Sequence, residues 1–591
     1  MLSPLNKSDM KLKIKDFIIS HWGALACAIF VSILVVLPQI LFRIEHKVPE
    51  QSTERIELLP DSPWSPRVRE IQDGHSFGNI YNKQGKDNPY LFQPLGSMIV
   101  AYMGMLFSLG INNTILLSRI VLPFVVFLLI YWFALLLSRD KLVSIVIAAI
   151  FLLADPFLTY TGISSLIHGV SPESFLRIAR PVNPAMIYVF FFGFLIYFWK
   201  FFKEKRLGPG VISSVLLSLN FYNYFYSWTY LYAFGGFFTL FLIFQKRWRE
   251  ALEVGSVYFF GAVLAIPYFI NLYRASHFPA YEEVGKRLGI IMTHQPLFVG
   301  TTVIFALIIF YIFFPKDQGD RRIFGLALLV TPFLTMNQQI LTGKIMQADH
   351  YHWFFHKPIA VLLVVMTLFF VLERRGFVRQ KKILAIGIIL VSIVTGTFVQ
   401  IHSYWYERKD GGSVAVERQK YAPVMAWLNA HGEKEEMVLG NDETSHLTVI
   451  YTPLNVLFHR AVCCTTLSAT DEQMLDTVFL FYRIRGVGVD TVNEVFERER
   501  GFISTQIYGI YYRKLYGDYD AVSDEKINEI IELYKKTLTT PSARWIEDML
   551  SKYEIKYIVW DKKNDPDWAL EQYMFLKKAA VFGDIVIYTT K

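Results

Sequence analysis

The hydrophobic stretches of this chain are separated by connections whose charge alternates, and that alternation limits how the chain can be threaded through a bilayer. After the second stretch, one set of connections carries Arg139 and Lys141, then Lys200, Lys203, Lys205 and Arg206, then Lys246, Arg247 and Arg249, then Lys316, Arg321 and Arg322, then Arg374, Arg375, Arg379, Lys381 and Lys382. These are seventeen cations. The connections in between carry seven: Arg177, Arg180, Arg274, Lys286, Arg287, Lys344 and Lys357. Cytoplasmic loops hold the excess of Lys and Arg, so the first set is expected inside.

With 591 residues of which 53% are hydrophobic, the chain reads as a polytopic membrane protein rather than one soluble domain. The net charge of +8 is concentrated at the ends of apolar runs, where it suits anionic membrane lipids, and no nucleic-acid partner is expected. Cys27, Cys463 and Cys464 give neither a disulfide framework nor a zinc motif. The first apolar run, Phe17 to Phe42, follows four lysines, exceeds a signal core in length and lacks a cleavage site, so it is read as a retained anchor.

About 20 apolar residues span a bilayer, which predicts about eleven transmembrane helices over 17–42, 115–137, 142–158, 185–202, 211–226, 229–244, 254–272, 297–314, 323–336, 358–372 and 383–401. Pro94 to Leu109 is also apolar, but counting it as a span reverses the side of every later loop. It is therefore read as a juxtamembrane or re-entrant helix. The expected fold is an α-helical polytopic membrane module over 1–402, with a large first outer loop at 43–93, followed by an extracytoplasmic α/β domain over 403–591. Met437–Leu439, Tyr557–Trp560 and Asp584–Tyr588 read as strands, and Asp471–Arg483, Asp524–Leu538 and Ala543–Tyr553 as helices. The N-terminus is expected in the cytoplasm, with the protein in the plasma (inner) membrane.

Three outer segments carry candidate chemistry. The first loop holds Asp61, Arg67, Glu70, Asp73 and His75, with Arg67 and Glu70 three apart and so on one face of a short helix. Either this is a solvated loop with local ion pairs or it is a site, and its length favours a site. The second loop opens with Asp155 at the end of an apolar helix, where a carboxylate is costly unless paired or hydrated. It closes with Arg177 and Arg180, which suit either a phosphate or lipid headgroups. A third segment, Asn337 to Pro358, holds Lys344, His350, His352, His356 and Lys357. His352 and His356 share a helix face but lack a further ligand at motif spacing, so a metal site and contacts with a lipid phosphate both stay open. Tyr222, Tyr224, Tyr226 and Trp228 read as interfacial anchors. A carboxylate that removes a proton from an acceptor hydroxyl, with cations that stabilise a departing phosphate, suits glycosyl transfer from a polyprenyl-phosphate donor.

The order of a first helix, a large outer loop containing DSPWSPRVREIQDGH, an apolar segment beginning QPLG, a second outer loop and a domain after the last helix resembles the GT-C class of integral-membrane glycosyltransferases. That class covers arabinose-lipid A, protein O-mannosyl and oligosaccharyl transferases, and the chain is most similar to its RgtA/B/C/D-like members. The resemblance implies an inverting transferase with a first-loop carboxylate as base, here Asp61, or Asp73 or Glu70 in its place, with Arg67 as orienter. It also implies that Arg177, Arg180, Lys344 or Lys357 hold the lipid phosphate. Asp61 lacks the adjacent second carboxylate of many members, which leaves dependence on a divalent metal (Mg or Mn) open. The partners implied are a polyprenyl-phosphate-linked sugar donor, membrane lipids, and a lipid, glycan or protein acceptor. The rival readings are a transporter or flippase of a lipid-linked or anionic substrate, and a non-catalytic membrane assembly protein.

Overall fold

The computed structural model describes residues 7–58, 64–75, 77–154, 175–409, 414–459, 461–511 and 522–590. Each of the eleven apolar stretches is helical, from Lys7–Glu45 to Val378–Lys409. Their lengths correct the expected count: among the described residues seven helices are long and apolar enough to cross a membrane, or eight if Trp248–Leu264 and Ile266–Ser276, bent by 52°, are one span. The difference lies in helices that end early. Lys141–Leu153 has 13 residues and Thr301–Phe313 has 13, about 20 Å each against a hydrocarbon layer of about 30 Å. Leu153 abuts Gly396 of the last helix, where even a methyl group would meet it at 2.9 Å. Protein packing thus takes over where the short helix stops.

The segment kept out of the span count forms a helix of only 11 residues, Leu95–Met105. It starts beside Asn223, and just beyond its end the Leu109 carbonyl accepts from Gln72 of the first loop at 3.2 Å. Both ends therefore lie on the same side of the bundle, and the alternation of later loops is preserved.

The five basic connections meet at one end. Lys381 pairs with Asp140 at 2.5 Å, Lys203 and Arg247 both pair with Asp320 at 2.6 Å, Lys205 pairs with Glu250 at 3.2 Å, and Arg374 pairs with Asp317. Lys141 donates to Ser20 near the start of the first helix. The other connections converge at the opposite, loop end. There Tyr90 and Asn271 exchange hydrogen bonds at 3.2 and 2.9 Å, and Gln347 reaches the Leu288 carbonyl at 2.6 Å. A two-stranded ribbon, β1 (Ile290–Met292) against β2 (Lys344–Met346), joins two of these loops in antiparallel register, Ile290 opposite Met346.

The last apolar helix continues to Lys409, past the expected boundary at 402. Beyond it stands a five-stranded sheet in the order β4 (Asn455–Val456), β3 (Met437–Leu439), β5 (Ile555–Asp561), β7 (Ile585–Thr590), β6 (Leu576–Phe582). β3 lies parallel to β4 and β5, while β7 is antiparallel to β5 and β6. All three predicted strands and all three predicted helices of this region are present, the helices as Asp471–Ile484, Asp524–Thr537 and Ser542–Lys552. Capping explains two sharp starts: Thr470 accepts from the Gln473 amide and Ser523 from the Lys526 amide. The sheet region packs on the first loop, with the Glu57 amide donating to the Tyr451 hydroxyl at 3.0 Å and the Val456 amide donating to Tyr81 O at 2.6 Å.

Candidate functional site

Of the first-loop candidates, Asp61 lies outside the described residues. The short helix Ser65–Gln72, opened by a proline in its first turn, places the others. Arg67, 9% exposed, lies over the rings of Phe92 at 4.4 Å and Trp64 at 5.4 Å. Burial pushes its guanidinium down to about 10. Glu70 belongs to a buried ion cluster: Lys86 pairs with one carboxylate oxygen, and His75 Nδ1 lies 2.8 Å from the other. Asp73 is held by Arg69 at 2.7 Å, one turn away. Arg67 and Glu70 thus share one short helix but have different neighbours, and the carboxylate of Glu70 is already engaged.

The second and third segments meet. Arg177, on the turn Arg177–Ala179, and Lys357, at the start of the helix Lys357–Arg374, both lie against the indole of Trp353, at 4.4 and 3.9 Å. A narrow cleft beside them is lined by Phe151, Leu152, Pro184, Tyr188 and Pro358. Arg177, Ile178 and Trp353 complete its lining. Each arm reaches the cleft through a wide π-type turn, Pro181–Met186 and His352–His356, that leads directly into a long apolar helix. Such turns redirect side chains and recur at functional sites. Asp155, the other acidic candidate, falls outside the described residues.

His350 sits one step away, its Nδ1 2.5 Å from the Tyr224 hydroxyl and its ring 4.9 Å from that of Tyr226. Tyr224 and Tyr226, expected as interfacial anchors, are 7% and 4% exposed instead. They belong to this packed wall because the bundle closes over them. Arg180, which ends the Arg177–Ala179 turn, is exposed. His356 Nε2 pairs with Thr335 Oγ1 at 2.9 Å, and the rings of His352 and His356 stand 6.2 Å apart at 83°. Among the described residues no group of three His, Cys, Asp or Glu is placed to hold a metal ion, and Asp61 and Asp155 lie outside those residues. Lys344 is exposed on β2, and no hydrogen bond, ion pair or ring contact joins it to the Arg177, Trp353 and Lys357 group.

One buried network escaped sequence reading. Glu57, 3% exposed, accepts from Gln39 Nε2 at 2.9 Å and from Arg43 Nε at 2.8 Å. Arg119, 2% exposed within the helix Ile111–Ser138, donates to Gln39 Oε1 and to the Ala179 carbonyl, both at 2.9 Å. Arg119 thereby ties the first loop to the turn that carries Arg177. Nearby, burial raises the Glu54 carboxyl above its ordinary value while it accepts from Asn112 at 2.7 Å. The available signal was an arginine inside an apolar helix, which is costly unless it is paired or functional.

No protein-family model matches the chain, and no curated protein is similar to it at the sequence level. Among solved structures, the chain is similar to the apo oligosaccharyltransferase of Archaeoglobus fulgidus, at 12% identity and a TM-score of 0.49, over 92% of this chain and 70% of that one. The same enzyme, tethered through a disulfide to an acceptor peptide containing the NVT sequon, gives 12% identity and a TM-score of 0.47 over 92% and 69%. No residue role passes from that enzyme to this chain.

Proposed function

We propose that the protein is a membrane glycosyltransferase that moves a sugar from a polyprenyl-phosphate donor to an acceptor hydroxyl or amide on the side of the membrane away from the basic loops. The observation that carries this reading is the convergence of Arg177 and Lys357, from segments far apart in sequence, on the Trp353 ring beside an apolar cleft. Two cations on one indole suit a phosphate, and the apolar lining of the cleft beside them suits the isoprenoid attached to it.

In the reaction the acceptor heteroatom attacks the anomeric carbon as the sugar–phosphate C–O bond breaks, and configuration inverts. Polyprenyl phosphate leaves with the bonding electron pair, its charge stabilised by Arg177 and Lys357. The acceptor proton passes to a first-loop carboxylate, for which Asp61 is the candidate. Glu70 is the weaker choice because Lys86 and His75 already occupy its oxygens. Arg119 is a positioning residue that holds the 177–179 turn in place.

Release of free polyprenyl phosphate from a sugar-charged donor by purified protein tests the proposal. Asp61→Ala and Asp61→Asn are both expected to abolish it. Turnover retained in both variants removes Asp61 from the mechanism, and no release by the wild type with any sugar removes the activity.

A further inference from the structure

The sheet region carries a half-open groove of about 270 Å³ that shares no residue with the Trp353 cleft. Roughly 10–15 Å³ suffices for one water, so the groove has room for a small ligand. One wall is the helix Ser542–Lys552, which contributes Glu547 and, one turn on and so on the same face, Ser551. Across from it the chain enters β5 through Glu554 and Lys556. Leu550 and Ile555, each 3% exposed, and the half-buried ring of Phe575 supply the apolar part.

Glu554 stands in an unusual place. The helix is capped by Tyr553, and Glu554 follows it at φ +51°. That left-handed position after a helix ordinarily belongs to glycine, sometimes to asparagine, and a Cβ there strains the backbone. The ion pair of Glu554 with Lys83 of the first loop does not account for the choice. The two side chains are 66% and 49% exposed, and such pairs contribute little to stability. A glutamate in a glycine position, lining a groove with room in it, points to a ligand.

The lining narrows the ligand's chemistry. Glu547 is exposed and, among the described residues, enters no hydrogen bond or ion pair. Lys556 is held by Glu436 at 2.7 Å. Ionised carboxylates only accept and an ammonium only donates, whereas a hydroxyl does both. An anion would meet Glu547 and Glu554, and a cation would meet Lys556. A compact neutral molecule with several hydroxyls and an apolar face to lay on Phe575 suits every member, and a sugar ring is that molecule.

We propose that this groove binds one neutral sugar unit of a glycan, at a site separate from the transfer centre and independent of the reading given for it. The test is titration of the full-length protein in lipid nanodiscs with the methyl glycosides of mannose, glucose, galactose and arabinose. The wild type is expected to bind at least one of them saturably. Glu547→Gln and Glu554→Gly are each expected to weaken that ligand about tenfold, the loss of a hydrogen bond to a charged group. Glu554→Gly is also expected to keep or raise the melting temperature, because glycine relaxes the backbone there, so that its loss of binding is not a loss of fold. Arg177→Ala is expected to leave this binding within about twofold. No saturable binding of any glycoside by the wild type overturns the site, and so does binding unchanged in either glutamate variant. Binding that Arg177→Ala removes overturns it too, because the sugar then sits in the transfer cleft.

Discussion

The two ends of the helix bundle handle charge in opposite ways. At the basic end, cations meet carboxylates on neighbouring loops: Lys203 and Arg247 share Asp320, Lys205 reaches Glu250 and Glu253, and Lys381 bridges Asp140 and Glu373. Most of these groups are partly exposed. At the loop end, Arg67, Arg177 and Lys357 lie against aromatic faces. Arg67 is buried, and Arg177 and Lys357 are half-buried. Ion pairs between exposed groups contribute little to stability, whereas a cation over an aromatic face gains from the ring quadrupole.

Substitutions at each end test that contrast. The largest effect is expected from Arg177→Ala and Trp353→Ala, which should lower sugar transfer by about 100-fold or more, the usual result of removing charge stabilisation from a departing group. Arg249→Ala at the basic end, where the side chain is 93% exposed, should leave transfer unchanged. Equal losses at both ends would dissolve the distinction. Next comes stability, read as thermal unfolding in detergent. Lys86→Met strands Glu70, whose side chain is 9% exposed, and is expected to cost about 3 kcal/mol. Lys205→Ala removes an exposed pair and should change stability by no more than about 1 kcal/mol.

A pH-dependent effect sharpens how the sheet region sits on the first loop. His446 Nδ1 lies 3.3 Å from His459 Nε2, and His459 stacks on Tyr81 of the first loop at 4.5 Å. Burial, helped by the neighbouring His459 charge, pushes His446 down to about 3, with Arg418 acting in the same sense and Glu443 and Asp442 opposing. The folded value is below the ordinary 6.5, so this contribution to stability is complete above pH 6.5 and drains away as pH falls from there toward 3. At pH 5 the loss is about 2 kcal/mol. His446→Leu should flatten the fall in melting temperature between pH 7 and pH 5, and an unchanged slope would exclude this pair as its source.

Much of the architecture was legible along the chain. The placement of Lys381 beside Asp140, and of Lys203 and Arg247 beside Asp320, follows the grouping made from charge alone. Leu95–Met105, kept out of the span count, forms a helix of only 11 residues. Strand and helix periodicity located Ile555–Asp561 and Ser542–Lys552 closely. Helix length was the weak point: hydropathy does not say where Lys141–Leu153 stops, which is close against Gly396 of the last helix. Local spacing also misled for Tyr224 and Tyr226, which resemble a membrane belt until the bundle buries them.

Composition and charge order, then, determined that this is a polytopic membrane protein, which connections share an end, and that a strand-containing region follows the last helix, because solvent preference and periodicity are properties of neighbouring residues. Which polar groups meet was decided only by the tertiary fold. Arg177 and Lys357 on Trp353, Arg119 on Ala179, and His350 on Tyr224 are contacts between distant segments. Hydrogen bonds and ring contacts act over a few ångströms, and no spacing along the chain encodes a distance across it.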